Sequence, residues 1–451
     1  MRIGIPRALM SYRYYPFLKT FLEGCGHEVL SSPPTDLGIL QEGVEGCVDD
    51  VCVAVKVFIG HVRFLEGKAE ALLVPRPVSV EKRGYDTFTC PKLIAAPDMA
   101  RFFPRRPPLL LEWVLDVRRA PWWWGCLRLA ARLRVSPVRA WRAYLAARRE
   151  HSAFGSLLLQ GLLPDEALSV WENMVINRLP MGIEGIGSES SGDGQERHGR
   201  SGGAGATERL PAFAAEADWK GLWVASLEGT EKYSEEEPRI PSPWGKRFRV
   251  EGLCGQAGTW SPGRGEAGRG KVRRERVTVG VVGHPYLLAD RLVNKNLIRW
   301  LEEAGALVVP CTALSPRELE EEVAHLPLMS WSYERELLAA TSCFARRKEV
   351  DGVAYITSFG CGPDSMAMEV ARREVVAPSG KPFLEVVLDE HSADSGVRTR
   401  AEAFVDMLNR RKGAGAGGTT PRRGPSEGRG SLRRGVSRAC TDTERSGCAR
   451  R

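Results

Sequence analysis

The sequence predicts an α/β protein made of two related Rossmann-like domains, each built on a parallel sheet. Short apolar runs alternate with amphipathic segments along much of the chain, which is the pattern of repeated strand–helix–strand units. The apolar runs contain few polar residues, as expected of strands that are covered on both faces. Two stretches also begin alike, because residues 2–5 and 279–283 are both short strands that break at a proline, Pro6 and Pro285.

The likeness between the two stretches continues further along the chain. Residues 17–30 and 296–309 each predict an amphipathic helix that ends at a glycine and is followed by a strand. Residues 108–116 and 382–389 are both apolar runs that end in an acid. We therefore expect an N-terminal α/β domain at 1–120 and a C-terminal α/β domain of related topology at 276–410.

The segments outside these domains differ in composition. Residues 121–182 predict a helical connection with a break at Ser136 and Pro137, and with Trp141, Tyr144 and Leu145 on an apolar face. An amphipathic hairpin packed on the domain is the favoured interpretation, and binding to nucleic acid or a membrane surface is the alternative. Residues 183–275 lack periodicity and predict a long flexible insertion, while 411–451 predict a disordered basic C-terminal tail.

Composition limits the class of protein. The chain has 451 residues, of which 43% are hydrophobic and 27% charged, so it can bury a sizeable core. No apolar run approaches the ~20 residues of a membrane span, and the chain opens directly into a strand without a signal sequence. We therefore expect a cytoplasmic protein that does not bind membranes.

The distribution of charge and the cysteine content limit which binding partners and which cysteine states are expected. Much of the net charge of +8 comes from arginines in the tail and in the helical connection, so no specific nucleic-acid partner is expected. The eleven cysteines are scattered and odd in number, which indicates reduced thiols or metal ligands rather than disulfides. We give Cys440 and Cys448 in the tail no role.

Several common motifs do not occur in the sequence. It has no Gly-x-x-x-x-Gly-Lys-Ser/Thr phosphate loop, no His-Glu-x-x-His, no Cys-x-x-Cys and no Gly-x-Gly-x-x-Gly after a strand. Nucleotide hydrolysis and zinc-peptidase chemistry therefore have no support in this sequence.

The stretch 355–365 predicts a strand, a tight loop and a helix start around Cys361. Gly360 and Gly362 let the backbone pass close to whatever the cysteine holds, and Asp364 or Ser365 is expected to cap the helix. A helix N-terminus lowers a cysteine pKa and favours the thiolate, which binds metals and attacks electrophiles. The alternative is a buried structural cysteine at a turn.

Two more cysteines occupy comparable places. Cys90 follows a predicted strand at 71–76, and Cys52 lies at the start of a predicted helix that continues to His61. Ligands of parallel α/β sheets bind beyond the carboxyl ends of the strands. These positions are therefore candidates for a shared binding site.

The sequence resembles the 2-hydroxyacyl-CoA dehydratase D-component-like family, and within it the branch of acyl-CoA dehydratase activase-related proteins. The resemblance covers about 1–105 and 276–409 in the same order. The motifs that carry it lie at 3–9, 52–56, 60–62, 75–76, 90–92, 97–98, 359–365 and 389–394.

The resemblance implies an iron–sulfur protein. Family members hold a [4Fe-4S] cluster through three cysteines and leave one iron without a cysteine ligand, which implies Cys52, Cys90 and Cys361 as cofactor and metal ligands here. Thiolates are the ligands that such clusters select. A zinc site made of the same cysteines plus His61 is the alternative.

The resemblance also implies an activity. The family's dehydratases remove water from (R)-2-hydroxyacyl-CoA by one-electron chemistry through a ketyl radical, with the electron delivered by a separate ATP-hydrolysing activator. By this resemblance the chain is a lyase or a low-potential reductase acting on a CoA thioester or similar small acid. Its expected partners are the ATP-dependent activator and possibly a second dehydratase-type subunit, and it is possibly a dimer.

Five polar residues near the cysteine motifs are the further candidates. Lys56, His61 and Lys92 are predicted to bind substrate, and Glu390 and His391 are predicted to move protons as catalytic groups. The group around Glu390 is alternatively a strand-end hydrogen-bond network that holds a cleft between the domains shut. Two other functions stay open, namely a non-catalytic electron-transfer or cluster-carrying partner of the activator and a metal-free α/β binding module.

Overall fold

The computed structural model describes residues 1–106, 109–178 and 276–416. The predicted flexible insertion at 183–275 lies outside the described residues, as does the predicted tail beyond 416. The last described helix continues to Ala416, past the predicted start of the tail at residue 411.

The N-terminal half is a four-stranded sheet wrapped by helices. Its elements in chain order are β1 (Arg2–Ile5), α1 (Ser11–Gly24), β2 (Glu28–Ser31), α2 (Leu37–Glu45), α3 (Val53–Leu65), β3 (Ala71–Ser79), α4 (Pro91–Ile94), α5 (Ala96–Phe102) and β4 (Leu110–Asp116). All the strand pairs are parallel, and the spatial order is β2-β1-β3-β4.

Three helices follow this sheet. They are α6 (Trp122–Arg132), α7 (Pro137–Leu159) and α8 (Pro164–Arg178). The predicted break is confirmed, since Ser136 caps α7 by accepting a hydrogen bond from the Arg139 amide. The hairpin packs against α1, and Tyr144 is buried in that contact as expected. Leu145 was wrongly placed on the apolar face, because its side chain is exposed.

The C-terminal half repeats the same arrangement. Its elements are β5 (Thr278–Val282), α9 (Pro285–Ala289), α10 (Leu297–Glu303), β6 (Leu307–Pro310), α11 (Pro316–Val323), α12 (Ser332–Arg346), β7 (Gly352–Ser358), α13 (Gly362–Val370), α14 (Ala377–Ser379), β8 (Phe383–Leu388) and α15 (Asp394–Ala416). Its parallel sheet has the order β6-β5-β7-β8, which matches the first sheet strand for strand. The predicted fold class is confirmed, while the predicted domain boundaries stay predictions.

Equivalent glycines in the first strand of each sheet show how close the packing is. A Cβ atom added to Gly4 would lie 2.6 Å from the Leu72 side chain, and one added to Gly280 would lie 2.5 Å from the Phe344 ring. Larger side chains at these positions would displace the residues that pack over the sheet. β7 is buried along its whole length, as a strand covered on both faces should be.

The two halves contact each other through backbone as well as side chains. The Phe88 amide donates to the Ser330 carbonyl at 2.8 Å, and the Ser332 amide donates to the Phe88 carbonyl at 2.8 Å. The Tyr14 and Tyr333 hydroxyls are 3.0 Å apart in a buried hydrogen bond. These contacts join α1 and the loop before Cys90 to the start of α12. In the described part of the chain, no helix combines the length and apolarity that crossing a membrane requires.

Candidate metal centre

Each of the three cysteines predicted as ligands stands at the N-cap position of a helix. Cys52 precedes α3, Cys90 precedes α4 and Cys361 precedes α13. The last two lie in the connections that follow β3 and β7, which occupy equivalent places in the two sheets. The backbone amides at such helix starts favour negative charge on a nearby sulfur.

All three thiols lie near enough to the Tyr286 side chain for their charges to act on it. After burial, the charges of Cys361, Cys52 and Cys90 are among the causes that raise the pKa of Tyr286 well above its ordinary value. The backbone shows the same approach, since a Cβ added to Gly360 would lie 3.7 Å from the Cys52 nitrogen. All three cysteines are buried and none forms a disulfide.

The thiols differ in their affinity for protons. Hydrogen bonding from Cys361, helped by the amides of Lys92 and Leu93 and opposed by burial, lowers the pKa of Cys90 to about 6. The same hydrogen bond raises the pKa of Cys361. Burial raises the pKa of Cys52, opposed by the charge of Lys92. The site therefore stabilises a thiolate first at Cys90.

Lys92 connects two of the cysteine loops. Its Nζ donates to the Gly360 carbonyl at 2.7 Å, across the boundary between the two halves. The ammonium group is thus held beside the thiols, where its positive charge favours their ionised forms.

A histidine and two carboxylates complete the surroundings of Cys361. A ring nitrogen of His284, the Cys361 Sγ and a carboxylate oxygen of Asp364 all lie within 4.8 Å of one another. His284 Nε2 is also 3.7 Å from Glu334 Oε1, and both of these side chains are fully or almost fully buried. Burial raises the pKa of Glu334 to about 7.

Asp364 has a different role from the one predicted. It was expected, with Ser365 as the other option, to cap the helix after Cys361, but the cap residue is Cys361 itself. The carboxylate is buried within the first turn, where it accepts hydrogen bonds from the Tyr355 hydroxyl at 2.8 Å and the Thr357 hydroxyl at 2.6 Å. Asp364 therefore ties the start of α13 to β7 and fixes the position of Cys361.

Sequence reasoning missed His284 and Glu334. A signal for His284 was present, because it stands directly before Pro285, just after the apolar run 279–283. A polar residue at the end of an apolar strand is a candidate for the binding edge of the sheet. Glu334 had no such signal, because it lies in a helix whose sequence is compatible with an exposed surface.

Two family models match the chain in succession. Residues 2–173 match the CoA enzyme activase uncharacterised domain, and residues 250–408 match the 2-hydroxyglutaryl-CoA dehydratase D-component. Both matches support the 2-hydroxyacyl-CoA dehydratase D-component-like family for this chain. A search of the curated proteins gives no match.

Lys56 and Glu390 form an ion pair between the halves. The side chains are 2% and 14% exposed, and Lys56 Nζ also donates to the Asp49 carbonyl at 3.1 Å. His391 is mostly exposed, with Nε2 3.8 Å from Glu390 Oε1. The geometry agrees with the alternative in which the Glu390 group holds the halves together, and its catalytic role stays a prediction.

The structure does not bring His61 to the cysteines. It stands nine positions after Cys52 on α3, which is about 13 Å along the helix axis. Its Nε2 lies 3.0 Å from the Thr35 hydroxyl, and burial lowers its pKa to about 3, so the ring is neutral. The alternative zinc site with His61 as fourth ligand is therefore wrong for this dehydratase-like fold, while a substrate contact at His61 stays a prediction.

Proposed function

We propose that this chain is an iron–sulfur protein of dehydratase type that holds a [4Fe-4S] cluster through Cys52, Cys90 and Cys361. The observation that carries the proposal is the presence of three buried N-cap thiols from both halves near Tyr286. Three sequence-distant thiols without a disulfide are the donor set that an iron–sulfur cluster takes.

Several residues of the chain would then hold the cysteine loops in place and balance the charge of the bound cluster. When bound, the cluster supplies one-electron chemistry toward a CoA thioester or similar small acid. Lys92 offsets the negative charge of the thiolates and fixes the Gly360 loop. The buried pair of Lys56 and Glu390 keeps the helix that carries Cys52 against the second sheet. His391, exposed beside Glu390, is the group placed to exchange protons with solvent.

The first experiment is anaerobic purification with iron and acid-labile sulfide measured per chain. We expect both in the wild type and a loss of both in Cys52→Ala, Cys90→Ala and Cys361→Ala. Cys126→Ala and Cys343→Ala are matched controls, because these buried thiols lie elsewhere and should leave iron content unchanged. A wild type without iron, or iron that survives all three substitutions, contradicts the proposal.

A second candidate function is an electron-transfer or cluster-carrying partner of an ATP-dependent activator. The match of residues 2–173 to a CoA enzyme activase domain favours it. Turnover of 2-hydroxyacyl-CoA thioesters with an activator, ATP and reductant would support the dehydratase. Reduction by the activator with neither thioester binding nor turnover would support the carrier. A second subunit, a dimer and a cytoplasmic location stay predictions.

A further inference from the structure

Four buried polar atoms on two neighbouring side chains near the cysteine site have no hydrogen-bond partner. They are both ring nitrogens of His284 and both carboxylate oxygens of Glu334. His284 is 2% exposed and Glu334 is 0% exposed, so water does not solvate them as it would at the surface. A buried donor or acceptor without a partner is unfavourable, because it has given up its bonds to water and gained none. Such atoms side by side indicate a site whose interactions are completed by another group.

The His284 ring is held in a defined plane. It stacks on Tyr286 with ring centroids 5.0 Å apart and an angle of 12° between the planes. The stacking therefore fixes the plane of the imidazole against the ring on which the charges of the three thiols act.

The groups that face this edge are acceptors. Nε2 lies 3.7 Å from Glu334 Oε1 and 4.0 Å from Asp364 Oδ2, and a ring nitrogen lies within 4.8 Å of Cys361 Sγ. Asp364 already accepts hydrogen bonds from Tyr355 and Thr357. His284 is thus an N–H donor among anionic groups, and the Cys361 sulfur is the neighbour that becomes a thiolate when it binds a metal.

We propose that His284 donates a ring N–H to the sulfur of Cys361 in the loaded site, and that Glu334, beside Nε2, holds the ring in that orientation. His284 is then a positioning residue that sets the reduction potential of the centre. This inference rests on the proposed ligation by Cys361. Hydrogen bonds to cluster sulfurs tune the potential, and a donor stabilises the reduced and more negative state.

The test is an anaerobic redox titration of the iron-loaded protein followed by electron paramagnetic resonance. His284→Leu removes the donor, so we expect a more negative midpoint potential than in the wild type. His284→Gln keeps an N–H near the same place and should restore most of the difference. His151→Leu is the control. It removes an imidazole of α7 that packs on Tyr14 and Phe17 of α1, and it should leave the midpoint potential unchanged.

The outcomes separate this inference from the proposed function. If all the proteins retain iron and His284→Leu has the same midpoint potential as the wild type, the proposed hydrogen bond is wrong. The cluster assignment is then unaffected. Loss of iron in His284→Leu with retention in His284→Gln supports the proposed hydrogen bond. Loss of iron from both variants at an unchanged melting temperature overturns it, because the glutamine still donates. A wild type without iron contradicts both proposals.

Discussion

Lys56 and Glu390 form a buried ion pair between residues 334 positions apart in the sequence. Lys56 belongs to the helix that Cys52 begins, and Glu390 follows the last strand of the second sheet. Although burial raises the pKa of Glu390, hydrogen bonding from Lys56 lowers it overall. The pair therefore fixes one wall of the cysteine site across the boundary between the halves.

Removing one partner of this ion pair should lower the free energy of unfolding. Lys56→Met leaves a largely buried carboxylate without its cation, so we expect a loss of about 3–5 kcal/mol in the free energy of unfolding. The double variant Lys56→Met with Glu390→Leu should recover most of it. Urea unfolding measures both effects. Lys19→Met, which breaks a more exposed pair with Glu23, should cost at most about 1 kcal/mol. Equal losses in the single and double variants would refute the argument.

Gly360 and Gly362 flank Cys361 but should respond differently to substitution. Gly360 has φ of +74°, and an added Cβ would lie 3.3 Å from the Asp50 carbonyl, whereas one on Gly362 would meet no atom within 4 Å. Gly360→Ala should destabilise the protein by about 1–3 kcal/mol and reduce iron retention, because it displaces the Cys361 loop. Gly362→Ala is the matched control. Thermal melts and iron assays check both, and equal behaviour of the two variants would contradict this explanation.

His61 should make stability depend on pH. Burial lowers its pKa to about 3, whereas an unfolded histidine titrates near 6.5. Between these values the unfolded chain binds more protons, so stability is lost as the pH falls below 6.5. From pH 6.5 to pH 5 this amounts to about 2 kcal/mol, and His61→Gln should remove it from the measured slope. His325→Gln, at an exposed position, should keep the wild-type slope. An unchanged slope in His61→Gln would show that the ring is not buried in its neutral form.

Glu334 should destabilise the metal-free protein. Its carboxylate is buried without a hydrogen-bond partner, and burial raises its pKa. At pH 8, Glu334→Leu should therefore increase the free energy of unfolding of the metal-free protein by about 1–3 kcal/mol. Glu303→Leu, at an exposed ion pair with Arg299, should change it by less than about 1 kcal/mol. A loss of stability in Glu334→Leu would mean that the carboxylate has a partner in solution.

The fold could be predicted because its signals are local. Buried parallel strands such as β7 are continuous apolar runs, and α1 ends where its apolar periodicity meets glycine. The helix hairpin was predicted from Ser136 and Pro137 for the same reason. The prediction failed at Asp364, because cap-forming residues also form buried hydrogen bonds, and only the neighbouring strand decides which they do.

The sequence by itself determined the two repeated sheets and the placing of thiols at strand ends and helix starts, because apolar periodicity and helix breakers act within a few residues. Only the tertiary structure decided that Cys52 reaches the Gly360 loop, that His61 stays away, and that His284 lies between Cys361 and Glu334 as a neighbour of both. The physical reason is that these contacts depend on how two separately patterned sheets pack against each other. That packing is set by buried contacts between distant residues, such as Tyr14 with Tyr333, which no local pattern encodes.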